Sequence, residues 1–315
     1  MADRADHRVC IAIPTYQRPA ALAALLRNIA LQVVPLGVRA DVLIVDNDRA
    51  PSAQAVVTAA RAGFPFALDY VHQPEPGLCV VRNTALAHAR NGYDFLAMID
   101  DDEIPQPQWF GELLRVQQHT GADVVIGPVP QEIPAAAPAW IRAGRFFDLP
   151  AYADGASIEQ GYSGNCLLDV RSLERFGVVF DPSLNFAGGE DTLFFRELVA
   201  RGAKMVFAAH AVAVETVPEG RLRASYIVKL NYRRGNTRSI CDRRLDPRAP
   251  VLVQRAVKAF GRLALGATSL LPLAALRGRT GAVIALCNMA QGLGGLAGLG
   301  GFIYHAYSRH NTAPL

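Results

Sequence analysis

Apolar and polar positions fall into two kinds of block along the first two thirds of the chain. Short apolar runs of strand length are bounded by turn residues, and longer blocks carry apolar side chains three and four positions apart. Val9–Ile13 is a run of the first kind and ends in Pro14-Thr15-Tyr16-Gln17-Arg18-Pro19. Pro19 suits a first helical position ahead of Leu22, Leu25, Leu26 and Ile29, which share one helical face. Asp41–Val45 predicts a second strand that ends at Asp46-Asn47-Asp48, and a helix from about Pro51 to Ala62 follows. Phe66–His72 predicts a third strand, Pro74-Glu75-Pro76-Gly77 a turn, and the next stretch a helix carrying Arg82 and Asn83. Asp94–Ile99 reads as the fourth strand, Trp109–Gln118 as a helix and Asp123–Ile126 as a further strand. Strands that alternate with helices predict an α/β fold with a mainly parallel sheet flanked by helices. In such a sheet the strand ends at Thr15, Asp46 and Asp100–Asp102 converge on one edge, where open α/β sheets bind ligands.

The fourth strand carries the densest chemistry. Phe95-Leu96-Ala97-Met98-Ile99 runs straight into Asp100-Asp101-Asp102-Glu103. Adjacent carboxylates repel, and burying them unpaired is unfavourable by several kcal/mol. A divalent cation removes that conflict, and oxygen-only ligands point to magnesium or manganese seated on substrate phosphates. The same residues also fit a solvated acidic loop. A second acidic pair opens a later helical pattern at Gly188-Gly189-Glu190-Asp191-Thr192. The helix dipole alone favours acids in a first turn, while the glycine pair allows backbone to approach a ligand closely.

Charge is distributed unevenly. Residues 219–279 hold 14 Lys or Arg and 3 Asp or Glu, a net of +11 in a chain whose total is +4. No nucleic-acid recognition motif accompanies this basic segment, so a nucleic-acid partner is not expected. Two apolar stretches overlap and follow it, Leu263–Leu276 and Thr280–Tyr304. The second has 25 residues without a charge, long enough to cross a bilayer, and Gly294 and Gly298 stand at the spacing of close helix packing. Basic residues beside apolar helices favour anionic lipid and a cytoplasmic face. The segment is equally long enough for a buried helical hairpin. Cys10, Cys79, Cys166, Cys241 and Cys287 have no paired spacing, which fits a reducing compartment and no zinc site. Met1–Arg8 is short and charged, without an apolar signal core. The expected organisation is a catalytic domain over residues 8–250, a membrane-associated apolar helical region over 251–305 and a tail over 306–315.

Five motifs in order carry a resemblance to a known family: Pro14-Thr15-Tyr16-Gln17-Arg18, Ile44-Val45-Asp46-Asn47, Gly77 through Arg82-Asn83, Ile99-Asp100-Asp101-Asp102-Glu103 and Gly188-Gly189-Glu190-Asp191. Over roughly residues 8 to 240 the chain resembles glycosyltransferase family 2, inverting enzymes of the GT-A fold that use nucleotide sugars. Within that family it looks most like bacterial exopolysaccharide glycosyltransferases of the succinoglycan type. The resemblance implies donor contacts from Pro14, Thr15, Tyr16, Arg18, Asp46, Asn47, Arg82, Asp100 and Asp101, with Thr15 and Asp46 at the base and ribose. Asp46-Asn47-Asp48 stands where many relatives have two aspartates followed by Gly-Ser, which puts the ribose contact in doubt. Asp102 and Asp100 match the outer aspartates of the DxD metal motif, with manganese or magnesium as the cation and a nucleotide sugar as co-substrate. Asp191 matches the catalytic base, and Glu190 would orient the acceptor. His210, which follows a strand pattern at Met205–Ala209, stands near a position where some relatives place a histidine against the metal; a lone histidine there also fits a structural role.

Further readings follow. Tyr162-Ser163-Gly164-Asn165-Cys166 corresponds to a segment that lines the donor sugar in relatives, and Trp140, Phe146 and Phe147 would form an acceptor platform or pack a loop. Arg233-Arg234-Gly235-Asn236-Thr237-Arg238 lies where processive relatives carry Gln-x-x-Arg-Trp; its absence argues for addition of one residue. The function implied is transfer of a sugar, with UDP-sugars favoured, to a saccharide acceptor that is lipid-linked, at the cytoplasmic face of the inner (plasma) membrane. A metal-dependent nucleotidyltransferase would need a Gly-rich cationic loop after the first strand, which Pro14–Pro19 lacks, and a dinucleotide-binding oxidoreductase would need G-x-G-x-x-G there. A non-catalytic nucleotide-sugar-binding or scaffold protein would bind donor without turnover.

Overall fold

The computed structural model describes residues 7–308 and 311–314, so residues 1–6 of the charged N-terminal stretch and 309, 310 and 315 of the tail lie outside it. The chain starts with β1 (His7–Thr15), α1 (Pro19–Ile29), β2 (Val38–Asp46), α2 (Gln54–Arg61), β3 (Ala67–His72), α3 (Leu78–Ala89) and β4 (Phe95–Ile99). It continues through β5 (Glu103–Pro105), α4 (Trp109–Thr120), β6 (Val124–Ile126), β7 (Gln131–Glu132), α5 (Ala139–Gly144), β8 (Asn165–Asp169) and α6 (Val170–Phe176). After α7 (Glu190–Ala200), β9 (Met205–Phe207) and β10 (Ala213–Thr216) come two long helical segments, α8 (Ala224–Leu245) and α9 (Ala249–Leu299). A short ribbon, β11 (Tyr307–Ser308) and β12 (Asn311–Pro314), follows.

Seven strands form the main sheet in the order β3-β2-β1-β4-β8-β6-β9. The predicted elements are present with boundaries shifted by a few residues. The sheet is parallel except at β8, which pairs antiparallel with both β4 and β6. Both faces are buried, which is why the strands read as continuous apolar runs. Along β1, Val9, Ile11 and Ile13 join the core under α1 and α4, while Cys10 and Ala12 join the opposite core under α3 and α7. The register pairs Thr15 with Asp46 and Ala12 with Met98, so β1, β2 and β4 end on the same edge. A small sheet, β5-β10-β7, closes one side of that edge and sets Glu103 opposite Glu215.

The helical segments pack together through glycine. Gly278 leaves helical geometry (φ 54°, ψ −136°) and divides α9 into an outer arm, 249–277, and an inner arm, 279–299. The arms run antiparallel: Gly292 lies against Ala259 and Leu263, Gly266 against Ala285 and Met289, and Gly281 against Leu273. The inner arm also runs along α8. A Cβ at Gly294 would meet the Tyr232 carbonyl, and one at Gly298 would stand 2.6 Å from the Asn236 carbonyl oxygen. The GxxxG spacing in the charge-free stretch is therefore used within the chain, against α8. The helical unit begins at Ala224, inside the stretch assigned above to the catalytic domain.

Two glycines of α9 should respond oppositely to alanine. Gly294→Ala forces side-chain volume into backbone and should lower stability by about 1–3 kcal/mol. Gly261→Ala, where a Cβ meets nothing within 4 Å, should raise it by up to about 1 kcal/mol. Denaturant unfolding of the two variants beside wild type measures both; equal effects would mean that the α8–inner-arm contact is not close-packed.

Candidate active site

The acids of the two motifs meet across one guanidinium. Arg82 projects from α3, is 7% exposed, and pairs with Glu190 at the start of α7. Its other terminal nitrogen lies 3.7 Å from Asp100 at the end of β4. The Arg82 guanidinium also faces the Phe180 ring at 5.7 Å. Glu190 is buried, and its second carboxylate oxygen has no hydrogen-bond partner in the described structure. These contacts tie the acidic turn after β4 to the helix carrying the candidate base.

The helix bearing Arg82 is positioned by two asparagines. Asn47 donates to the Gln73 and Glu75 carbonyls at 2.8 and 2.6 Å and accepts from the Gly77 amide at 2.8 Å. Asn185 donates to the Pro76 carbonyl and accepts from the Cys79 amide, both at 2.9 Å. Gly77 takes φ 140°, and any Cβ there would run into Asn185. The Pro74–Gly77 turn is thus held from both sides, and the start of α3 with it.

The acidic turn has its own counter-ion. Thr15 Oγ1 donates to Asp101 at 2.7 Å, and one Arg18 nitrogen donates to Asp101 at 3.0 Å and to Asp102 at 2.7 Å. Burial still pushes the Asp101 carboxyl above its ordinary range despite Arg18. Asp100 is pushed up to about 7 by burial, an effect that Arg82 partly offsets and Asp102, Asp101 and Glu215 reinforce. Burial, with Asp100, Asp102 and Glu215 nearby, drives Glu103 well above its usual value, and one of its oxygens is orphaned. Carboxylates in excess of cations are the donor set that a divalent ion satisfies. Among the described residues no three His, Cys, Asp or Glu side chains form a cage of their own. That fits an ion held by one or two carboxylates and completed by phosphate and water, as magnesium commonly is.

Asp191 sits one residue after Glu190 in the first turn of α7, accepting from the Thr192 amide at 2.6 Å. Burial, then the neighbouring Glu190 charge, raise its carboxyl to about 6, against the lowering effects of Arg82 and Arg233. Gly188 and Gly189 before it have φ of 71° and 99°, conformations that favour glycine. They lie beneath α8: Thr237 donates to the Gly188 carbonyl at 3.2 Å, and a Cβ at Gly188 would stand 3.2 Å from an Arg233 nitrogen.

One cleft of about 2090 Å³ connects these groups. Of the residues named from the sequence, Pro14, Thr15, Tyr16, Arg18, Asn47, Arg82, Asp100, Asp101, Asp102, Glu190 and Asp191 line it. Asp46 does not; its carboxylate is turned inward, where it accepts from the Ala53 amide at 2.8 Å and the Tyr70 hydroxyl at 2.9 Å. His210 is exposed in the turn after β9 and is not among the residues that line the cleft. Gln160–Gly164 line it, with Gly164 against Asp100 and Glu103, whereas Asn165 is a core amide bonded to Trp109, Pro128 and Ala211. Trp140 and Phe146 pack under the hairpin turn, with Arg279 stacked on Trp140 at 4.6 Å, while Phe147 from the same cluster also lines the cleft. Sequence reasoning passed over Glu215 and Arg221, an ion pair at 2.6 Å facing the acidic turn, and over Thr237 as a support of the Gly188–Gly189 turn before Asp191. The run Arg233–Arg238 was the one available signal for the latter.

The model for glycosyl transferase family 2 matches residues 10–176. Succinoglycan biosynthesis protein ExoM of Rhizobium meliloti (strain 1021) is 39% identical over 228 residues, 72% of this chain and 72% of that protein. Mannosyltransferase PcManGT from Pyrobaculum calidifontis, in complex with GDP-Man and Mn2+, superposes with a TM-score of 0.61 at 19% identity, over 92% of this chain and 87% of that one. S. aureus TarS 1-349 in complex with UDP gives 0.52 at 13% identity, over 94% and 92%. In the longer TarS structure the match spans 55% of the chain. These structural likenesses bear on the fold, which is GT-A.

Breaking the buried pair should cost far more than removing it. Arg82→Met leaves Glu190 buried and uncompensated and should lower stability by about 3–5 kcal/mol, whereas Arg82→Met combined with Glu190→Gln should recover most of that. A double-mutant cycle in urea reads the coupling; additive effects would mean that the two side chains do not pair.

Proposed function

The chain belongs to glycosyl transferase family 2, and from that premise we propose that it is an inverting, metal-dependent glycosyltransferase. It moves a sugar from a nucleotide-diphosphate donor, with a UDP-sugar favoured, to a lipid-linked saccharide in exopolysaccharide or cell-surface glycan synthesis. The observation that carries this reading is the pair of acidic motifs on either side of Arg82 in one cleft: a donor side at Asp100–Asp102 and an acceptor side at Glu190–Asp191.

The donor diphosphate would lie along the edge formed by the ends of β1 and β4, with Asp102 and Asp100 holding the cation. When bound, the cation would stabilise the charge that grows on the leaving diphosphate. Arg82 keeps Glu190 and Asp100 in fixed relation, and Glu190 in turn sets the start of α7. Asp191 takes the proton from the acceptor hydroxyl as that oxygen attacks the anomeric carbon in line with the departing diphosphate. One displacement inverts the anomeric centre. A carboxylate near pKa 6 is a stronger base than an ordinary aspartate and is still ionised at neutral pH.

The outer arm of α9 supports a membrane location. Val253, Val257, Phe260 and Leu271 form an outward stripe and are 59–80% exposed. With the inner arm packed on α8, the hairpin suits a place on the cytoplasmic surface of the inner membrane, its apolar stripe in the interface.

Thermal shift with a panel of nucleoside diphosphates tests the donor site. One nucleotide should raise the melting temperature only with manganese or magnesium, and Asp102→Asn should abolish the effect. No metal-dependent shift with any nucleotide would overturn the proposal.

Asp191→Asn should lose turnover yet bind the nucleotide sugar normally. In the wild type, kcat/KM should fall tenfold per pH unit below about pH 6, because the base must be unprotonated. The stability effect has the opposite sense. A carboxyl whose folded pKa is raised favours folding only while protonated, so its contribution is lost as pH rises from about 4 through 6. The variant should therefore match wild type near pH 4 and exceed it in melting temperature near pH 8. Retained turnover, or lost nucleotide binding, would remove Asp191 from the role.

A further inference from the structure

The cleft continues past the acids into a wall of opposite charge. On α8, Leu230, Arg233, Arg234, Thr237, Arg238 and Asp242 face it, one stripe at helical spacing. On the outer arm of α9, Val251, Gln254, Arg255, Lys258, Arg262 and Leu265 face it in the same way. The only carboxylate among these, Asp242, is already shared by Arg196 and Arg255. Among the described residues, Arg234, Arg238, Lys258 and Arg262 have no carboxylate within ion-pair distance. Arg234 and Arg238 are half-buried nonetheless. Burial, with Arg233 and Arg238 beside Arg234 and with Arg262, Arg255 and Arg196 beside Arg238, holds both guanidinium groups below their usual pKa. Half-buried cations that repel one another are unfavourable unless an anion joins them.

Position narrows the anion. Arg233 and Thr237 touch the Gly188–Gly189 turn that carries Asp191, and Arg238 lies about 7.5 Å along the α8 axis from Arg233. By helical geometry the cleft-facing stripe of the outer arm is roughly 145° round from its exposed apolar stripe of Val253, Val257, Phe260 and Leu271. One arm thus presents an apolar stripe on one side and cations to the cleft on the other, so a molecule that engages both brings its polar headgroup to the cations. Guanidinium forks match phosphate oxygens, and a diphosphate supplies the charge that four cations need.

We propose that Arg234, Arg238, Lys258 and Arg262 form a second anion site, separate from the donor site, that holds the phosphate or diphosphate of a lipid-linked acceptor while its saccharide reaches Asp191. The proposal rests on the glycosyltransferase reading above and adds to it the residues that select the acceptor's headgroup. No bond is made or broken at this site.

Vesicle flotation of the full chain tests it. Three probes are compared: phosphatidylcholine alone, phosphatidylcholine with a polyprenyl diphosphate, and phosphatidylcholine with phosphatidylglycerol at matched surface charge. Wild type should bind the polyprenyl diphosphate vesicles at least about tenfold more tightly than the phosphatidylglycerol ones. Arg234→Gln with Arg238→Gln should erase that preference and leave the metal-dependent nucleotide shift intact. The double variant should melt no lower than wild type, because it removes repulsion; a purely structural role would lower it. Lys258→Gln with Arg262→Gln, both exposed, should weaken the same preference without a risk to folding. Equal binding to the two anionic vesicles, or a preference that survives both double variants, would overturn the site. Stabilisation by inorganic diphosphate with no preference on vesicles would make it a site for a free anion and likewise overturn the lipid assignment. A wild type that keeps the vesicle preference but shows no nucleotide shift would count against the glycosyltransferase reading and leave the anion site standing.

Discussion

A buried guanidinium between a buried glutamate and a half-buried aspartate is the constraint around which the catalytic half is arranged. Arg82 is held by α3, Asp100 by the end of β4 and Glu190 by the start of α7. Neither Arg82 nor Glu190 is tolerable alone at that depth, since an isolated buried charge is unfavourable by several kcal/mol. The elements that carry them must therefore dock in one relation. The Asn47 and Asn185 clamps on the Pro74–Gly77 turn serve this, because they fix the height at which α3 begins. The glycines before Glu190 serve it too, since they let the chain turn under α8 and deliver two consecutive acids to the cleft.

Charge is segregated across the cleft as a result. The sheet edge supplies aspartates and glutamates whose protonation is favoured by burial, and the helical wall supplies arginines held below their usual pKa. The two walls do not neutralise each other by contact; Arg18, Arg82 and Arg221 pair with acids on the acidic side itself. Such a field favours substrates that are themselves divided, with cation and diphosphate toward one wall and a separate anion toward the other.

The order of strands and helices was legible from the apolar runs because both faces of the sheet are buried, and the convergence of Thr15 and Asp100–Asp102 followed from that order. The antiparallel insertion of β8 was not legible, since Asn165–Asp169 has the same apolar character as a parallel strand. Asp46 has the strand-end position of a ligand contact, yet its carboxylate is saturated by the α2 turn and Tyr70; position along a strand does not report the direction of a side chain. The charge-free stretch Thr280–Tyr304 has the length of a bilayer span, but length does not reveal a partner. Its glycines were the usable clue, and they face Tyr232 and Asn236 of α8. Glu215 was missed because it comes from a small sheet of two- to four-residue strands, and Arg221 because it lies in the single helical turn Glu219–Arg221 that follows; both are too short to leave a pattern.

The insertion of β8 also sets an order of assembly. β4 and β6 are close in the chain, yet neither pairs with the other; each waits for a strand that leaves the ribosome some forty to seventy residues later. Until then the emerging chain can complete only the β3-β2-β1-β4 half, with the raw edge of β4 exposed beside the acidic turn. The Asp100 amide finds its acceptor, the Gly164 carbonyl at 3.3 Å, only when β8 arrives. A nascent chain halted before that point would therefore present a sticky strand edge and a half-built acidic turn, so the same late strand that finishes the sheet also ends the chain's period of greatest exposure to mispairing.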